Sequence, residues 1–294
     1  DFFQHQAFIV ARVPRVECLG CGVRLIAVPW ARAGSGFTLL MEGLILELSR
    51  STPVRNIAQL VRVSDNRIWR VIQHYVDDAV SRIDCSKVVV VGVDETSAKK
   101  RHDYISCFFD MESKRLVLAT EGREHQVVAS FARFLGEHGG DASAVKEVSC
   151  DMSPAFIRGV RDFLPEAAVT FDRFHVAKLL GDAVERVRRS EWRRDKTVKG
   201  GRYALLKNPT NLTDRQREQL RDITNRNVAL AEIYRMKETF RDLYRQPDLT
   251  AATGFLNAWI ATAMSSTLKP LVKAAKTINN RAKGILRWHT TRMT

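Results

Sequence analysis

The most ordered hydrophobic pattern in the chain lies between Lys87 and Glu95, where KVVVVGVDE packs five valines into six residues and runs into two carboxylates. β-Branched side chains suit a pleated surface, and a short unbroken apolar run predicts a central strand covered on both faces. Two further apolar stretches follow, His102 to Met111 and Arg115 to Thr120, with Glu112-Ser113-Lys114 between them as the turn of a hairpin. The period then changes from two to between three and four. Gln126 to Glu137 predicts a helix with Val127, Val128, Phe131, Phe134 and Leu135 inward. Val145 to Cys150 predicts a strand ending in Asp151, Ser153-Pro154 opens another helix, and Ala168 to Phe171 predicts a short strand ending in Asp172. The order β-β-β-α-β-α-β, antiparallel first and then extended through helical crossovers, is that of an α/β, ribonuclease-H-like mixed sheet core.

The flanks differ. Residues 1–33 alternate loosely. Thr38 caps a predicted helix carrying Leu39, Leu40, Leu44, Ile45 and Leu48. Thr52 reads as the next cap, with Pro53 at the first helical position and Ile57, Ala58, Leu60 and Val61 as the inner face. After a turn at Val63-Ser64-Asp65, a second helix carries Ile68, Trp69, Ile72 and Tyr75 at helical spacing. This pair fits a helix-turn-helix whose second member turns Asn66, Arg67 and Arg70 toward DNA; an ordinary helical hairpin has the same pattern. From His175 onward the spacing is almost wholly helical, a large all-α insertion. The predicted organisation is thus a partial zinc-ribbon-like segment (1–33), a helix-turn-helix region (34–84), the sheet core (85–176) and the helical region (177–294).

Composition narrows the classes. Hydrophobic residues make up 45% and charged residues 27% of the 294 positions, the balance of a folded domain rather than a disordered chain. No apolar run approaches the roughly 18 residues of a membrane span, and the first residues lack the pattern of a signal peptide. Five cysteines, with one close pair, argue against a disulfide framework and for a reducing cytoplasm. The net charge of +14 is concentrated: residues 173–294 hold 26 Lys+Arg against 11 Asp+Glu, and no acidic residue follows Asp248. A long polyanion, double-stranded DNA, is the natural partner of such a half.

Candidate chemistry lies at the strand ends. Asp94 and Asp151 terminate strands that adjoin in this order. Converging carboxylates repel unless cations lie between them, and two hard ions about 3.5–4 Å apart activate an attacking oxygen and stabilise a leaving one in phosphodiester displacement. Oxygen donors suit Mg²⁺, with Mn²⁺ as the alternative. Asp94 also reads as a polar strand terminus, with Glu95 taking its place only if the strand runs one residue longer. Asp172 and His175, three residues apart, read either as an active-site flank or as a clasp between core and helices. Cys18-Leu-Gly-Cys21-Gly22 is half a zinc knuckle or two reduced thiols; His5 is a third candidate ligand and no fourth is apparent.

Taken together, KVVVVGVDE, VSCDMSPAFIRGV and AVTFDRFHVAKLL resemble the DDE transposases of bacterial insertion sequences, most closely the ISL-three family. EGR at Glu121 to Arg123, KGGRYALLKN at Lys199 to Asn208 and LTDRQREQL add to the resemblance, which covers essentially the whole chain. It implies metal-dependent cleavage and strand transfer at terminal inverted repeats, with Asp94 and Asp151 as the first two acidic residues and Asp172 and His175 as the family's D-x-x-H segment. It also implies pairing of DNA ends by a homo-oligomer. The chain departs from the family at both ends: an earlier cysteine pair that would complete a Zn²⁺ site is missing, and the last catalytic glutamate would fall past Thr294. The expectation is a piece truncated at both ends, with an incomplete metal site, little strand transfer and surviving DNA binding. A non-catalytic, transposase-derived DNA-binding regulator is the competing reading, and another nuclease of the same fold a third.

Overall fold

The computed structural model describes residues 10–99, 103–196 and 200–293. They belong to two compact units, Asp1–Ile83 and Asp84–Thr294.

The first unit opens on an antiparallel hairpin, β1 (Arg15–Cys18) with β2 (Gly22–Leu25), in which Cys18 pairs with Gly22. All eight strand residues are exposed. His5 lies outside the described residues. Three helices follow: α1 (Leu39–Ser49), α2 (Val54–Leu60) and α3 (Asp65–Ser81). Thr38 caps α1, its hydroxyl accepting the Met41 N–H at 3.2 Å. Pro53 is itself the cap of α2, in extended conformation, so the helix begins one residue later than the sequence pattern suggests. At the far end of α2 the Val63 N–H reaches back to the Ala58 carbonyl (3.0 Å) and the Arg62 N–H to Gln59 (3.3 Å). This is a Schellman closure, and Arg62 takes the left-handed position, φ +57°, that glycine usually fills.

Ile45, Ile57, Ala58, Ile68 and Val71 form the core of this unit. Trp69 and Leu60, read from the sequence as inward, are 55% and 62% exposed. Each residue of a helix is rotated about 100° from the last. With Ile68 and Val71 fixed inward, Trp69 is carried outward, and the seven-residue α2 presents only Ile57 and Ala58 fully to the core. Glu42 is wholly buried, and accepts hydrogen bonds from Arg32, Ser35 and Tyr75.

The second unit is a mixed α/β assembly. Its strands are β3 (Val90–Lys99), β4 (Asp103–Asp110), β5 (Arg115–Glu121), β6 (Glu147–Cys150) and β7 (Ala168–Phe171), in the spatial order β5-β4-β3-β6-β7. β5, β4 and β3 run antiparallel, whereas β3, β6 and β7 are parallel. The parallel strands are joined through α4 (Gln126–Glu137) and α5 (Pro154–Phe163). Phe108 of β4 stacks on Phe131 of α4 at 4.4 Å, placing α4 over the face that also carries Val93, the register partner of Phe108. His102 lies outside the described residues.

β3 begins at Val90 and runs to Lys99, well past the two carboxylates at which the sequence reading ended it. The reason is its antiparallel partner: β4 continues pairing through Asp94↔Cys107, Glu95↔Ser106 and Thr96↔Ile105, while the parallel pairing to β6 stops at Gly92↔Ser149. Asp94 therefore stands at the end of one ladder and in the middle of another.

Helices complete the unit: α6 (Arg173–Arg194), α7 (Arg202–Leu206), α8 (Asp214–Arg226), α9 (Val228–Phe240), α10 (Leu249–Met264), α11 (Lys269–Asn280), α12 (Ala282–Leu286) and α13 (Trp288–Thr291). Among the described residues no helix is long and apolar enough to cross a membrane. The last helices return to the sheet. The Arg287 guanidinium donates to the Glu147 carboxylate of β6, and Gly284 of α12 packs so closely on β7 that an added Cβ would lie 2.5 Å from the Phe171 ring and 3.1 Å from the Val169 carbonyl. Phe171 is buried, and the carbonyl is backbone, so neither yields easily. Gly284→Ala is expected to cost about 1–3 kcal/mol of stability, read as a lower urea midpoint at unchanged slope.

Candidate functional site

Three strand ends meet at one edge of the parallel part of the sheet. Gly92 pairs with Ser149, and Cys150 with Phe171. Two residues beyond the first pair lie Asp94 and Asp151; one beyond the second lie Asp151 and Asp172. The Asp172 N–H continues the ladder to the Cys150 carbonyl (3.1 Å). Asp94, Asp151 and Asp172 thus occupy one level on three adjoining strands, whose axes are about 4.8 Å apart.

The three carboxylates are held differently. Asp94 is exposed, and its Oδ1 accepts the Glu95 N–H at 2.8 Å. The Cys107 thiol is pushed up in pKa, by burial first and then by the Asp94 charge, which places the two side chains on one face as their register requires. Asp151 follows β6 in a tight turn, accepting the Ser153 N–H at 2.8 Å. Asp172 caps α6, its Oδ1 accepting the Phe174 N–H at 2.7 Å, while its Oδ2 lies 3.5 Å from His175 Nδ1. That nitrogen is buried without a hydrogen-bond partner among the described residues. Among the described residues no lysine or arginine forms an ion pair with Asp94 or Asp151.

Glu95 adds a fourth carboxylate. Successive strand residues point to opposite faces, so Glu95 shares the α4 side with Val93, and Asp94 does not. There it lines a cavity of about 480 Å³ with Asp151, Arg123, His125, Ser153 and Arg158. Burial pushes its carboxyl up in pKa, and the charges of Asp151 and Asp94 push it further, against Arg123 and His175. Its Oε2 is buried with no hydrogen-bond partner among the described residues. The structure therefore brings Asp151 to Glu95 within one cavity, and sets Asp94 at the same level on the other face of β3. An orphaned carboxylate oxygen beside a second carboxylate is an oxygen-donor environment suited to a hard divalent cation. Among the described residues no three His, Cys, Asp or Glu side chains are gathered as a metal cluster.

The sequence reading admitted Glu95 only as a stand-in for Asp94 were the strand to run one residue longer, and Arg123 only within the EGR stretch of the resemblance. β3 does run on, to Lys99, and the alternation of faces along it singles out Glu95. The Arg123 guanidinium rests on the Tyr104 ring at 4.3 Å, across a turn that only the fold closes.

In the first unit, Asn66 and Arg70 are exposed near the start of α3. Arg67 is partly covered: it donates to the Gly36 carbonyl at 3.0 Å and lies over the Phe37 ring at 4.4 Å. Arg70 reaches the Gly34 carbonyl at 3.4 Å. Cys18 and Cys21 are exposed free thiols at the hairpin tip, and hydrogen bonds from Cys21 and from the Gly20 and Cys21 backbone hold the Cys18 thiol below its usual pKa. The favoured thiolate is the form that ligates metal.

Comparison with known proteins agrees with this layout. Residues 91–294 match a family model described as a transposase, and residues 26–76 match the helix-turn-helix domain of transposase family ISL3. The chain is 27% identical to the transposase for insertion sequence element IS1557 of Mycobacterium tuberculosis, over 97% of its own length and 70% of that protein. It is 25% identical to the transposase for insertion sequence element IS1001 of Bordetella parapertussis, over 95% of its length and 71% of that protein.

Proposed function

The chain belongs to the ISL3 family of insertion-sequence transposases, and from that premise we propose that it binds the terminal inverted repeats of a mobile element and carries part of the metal site for DNA cleavage and strand transfer. The observation that carries the reading is the row of Asp94, Asp151 and Asp172 on adjoining strands of a sheet ordered 3-2-1-4-5, the order of a ribonuclease-H-like core. Asp94 and Asp151 would hold Mg²⁺ or Mn²⁺ in one version of the site; in the other, with the ion on the α4 face, the unpartnered Glu95 oxygen beside Asp151 takes the place of Asp94. When bound, the metal supplies charge stabilisation and an activated oxygen nucleophile.

The protein's own groups do the rest. Asp172 fixes the first turn of α6, and with it the position of His175, at the level of the two metal carboxylates. Arg123 and Arg158, on the Asp151 cavity, offer positive charge to a DNA phosphate entering there. For these 294 residues the proposal is DNA and metal binding. The test is Mn²⁺ binding, by electron paramagnetic resonance, in the presence of inverted-repeat duplex. Binding without any effect of the metal-ligand substitutions would leave only a transposase-derived DNA-binding regulator.

The helix-turn-helix makes a second expectation. Arg70→Ala is expected to weaken duplex binding and to flatten the dependence of log K on log salt by about one unit if it meets a phosphate. Asn66→Ala should relax sequence preference with little change in that slope, because a base-edge contact carries specificity and no counterion release. Arg67→Ala will mix both effects with loss of its packing on Gly36 and Phe37. Filter binding across a salt series separates the three. Identical salt slopes and sequence preference for wild type and variants would remove α3 from the DNA interface.

A further inference from the structure

The second unit contains a cavity of about 700 Å³ lined by Asp172 but not by Asp94 or Asp151. Its walls come from three segments distant in sequence: the first turns of α6, the end of α7 with Asn208 after it, and the end of α9 running into the 3-10 turn that follows. Phe174 stands at the mouth, 67% exposed, where an apolar ring costs free energy unless something covers it. Deeper lies Tyr244, whose hydroxyl is shielded from solvent and has no hydrogen-bond partner among the described residues. Arg173 lies over the Tyr244 ring at 4.9 Å, and Arg241 and Lys237, both ion-paired with Glu238, also line the cavity. Apart from Asp172 at its edge, the lining is cationic, aromatic or neutral.

This combination selects a ligand. A flat aromatic group is wanted at Phe174, a hydrogen-bonding edge at the Tyr244 hydroxyl, and a negative charge near the arginines. A buried hydroxyl without a partner costs free energy that a polar ligand edge would recover. A volume of this size, within the usual range for small-molecule sites, admits one nucleotide but not a stacked duplex. We propose that this cavity receives a single nucleotide unstacked from the DNA strand that passes the carboxylate row, its base on Phe174 and its edge on Tyr244. The proposal rests on the reading of the chain as a DNA-binding transposase and adds a ligand site to it. An unpaired nucleotide enters at less cost than a paired one, because no stacking or pairing has to be broken first.

The experiment compares affinity of the 294-residue chain for three otherwise identical duplexes: fully paired, with one bulged nucleotide, and with an abasic residue at the bulge. The bulged duplex is expected to bind about tenfold or more tightly than the abasic one, the scale of one base–aromatic stack. Phe174→Ala is expected to abolish that difference while leaving affinity for the paired duplex unchanged. Tyr244→Phe, which keeps the ring that Arg173 packs on, is expected to reduce the difference several-fold. Melting curves verify that both variants are folded. Equal affinity for the bulged and abasic duplexes, or a preference that survives Phe174→Ala, overturns the pocket and leaves the DNA-binding reading intact. No binding to any of the three duplexes overturns both.

Discussion

Asp94→Asn and Asp151→Asn will each lower Mn²⁺ affinity by about 100-fold or more, since even groups that merely hydrogen-bond to a metal ligand account for roughly 10–100-fold. In a polypeptide that cleaves inverted-repeat DNA, either change is expected to reduce that cleavage by about 10³-fold, corresponding to several kcal/mol of charge stabilisation. Asparagine keeps the shape and the backbone hydrogen bonds of each residue, the Glu95 N–H to Asp94 and the Ser153 N–H to Asp151, so folding should be intact. Glu95→Gln separates two versions of the site. If Glu95 is a donor beside Asp151, its amide lowers Mn²⁺ affinity as the aspartate changes do. If it is not, affinity is retained. Unchanged metal binding in both aspartate variants would remove the carboxylate row from the chemistry, and with it the nuclease-type reading.

Much of this row was legible in the sequence because it depends on local rules. The valine run, the hairpin turn at Glu112 to Lys114 and the helix from Gln126 to Glu137 follow from apolar period and turn residues; the turn and the helix form where that pattern places them, and the valine run forms a strand with shifted ends. Asp151 and Asp172 are found just after the strands that the pattern ends there. What the sequence does not carry is which neighbour each strand acquires. β3 extends to Lys99 because β4 pairs with it, a fact of tertiary register, and that extension is what places Glu95 opposite Asp94 in direction and beside Asp151 in space. Trp69 illustrates the same limit in a helix: at four or five apolar positions per turn-pair the inner stripe is ambiguous by one residue, and only the packing of Ile68 and Val71 resolves it. The cavity at Phe174 was beyond any local rule, since α6, α7 and α9 build it from segments up to about seventy residues apart.

The second large effect lies in the first unit, at Glu42. This carboxylate is fully buried and yet anionic: burial raises its pKa, but hydrogen bonds from Ser35, Tyr75 and Arg32 outweigh that and hold it below the ordinary value. Arg32 donates at 2.9 Å and Tyr75, from α3, at 2.7 Å. One side chain on α1 thereby fixes both the loop before α1 and the second half of α3. Glu42→Ala would leave the Tyr75 hydroxyl and a largely covered guanidinium without their acceptor, a loss of about 3–5 kcal/mol for a broken buried pair, toward the lower figure because Arg32 remains 28% exposed. Glu42→Gln keeps an acceptor and should cost less. The sign of the pH dependence follows from the depressed pKa. Glu42 stabilises the fold above the unfolded-state value of about 4.3, and that contribution is lost as pH falls through the lower folded-state value. Amide hydrogen exchange of α1 and α3 in the whole chain reads this directly: wild-type protection should fall on acidification below about pH 4, and more steeply than in Glu42→Gln. Protection that is the same in wild type and Glu42→Ala would show that these helices are held together by Ile45, Ile57, Ile68 and Val71 alone.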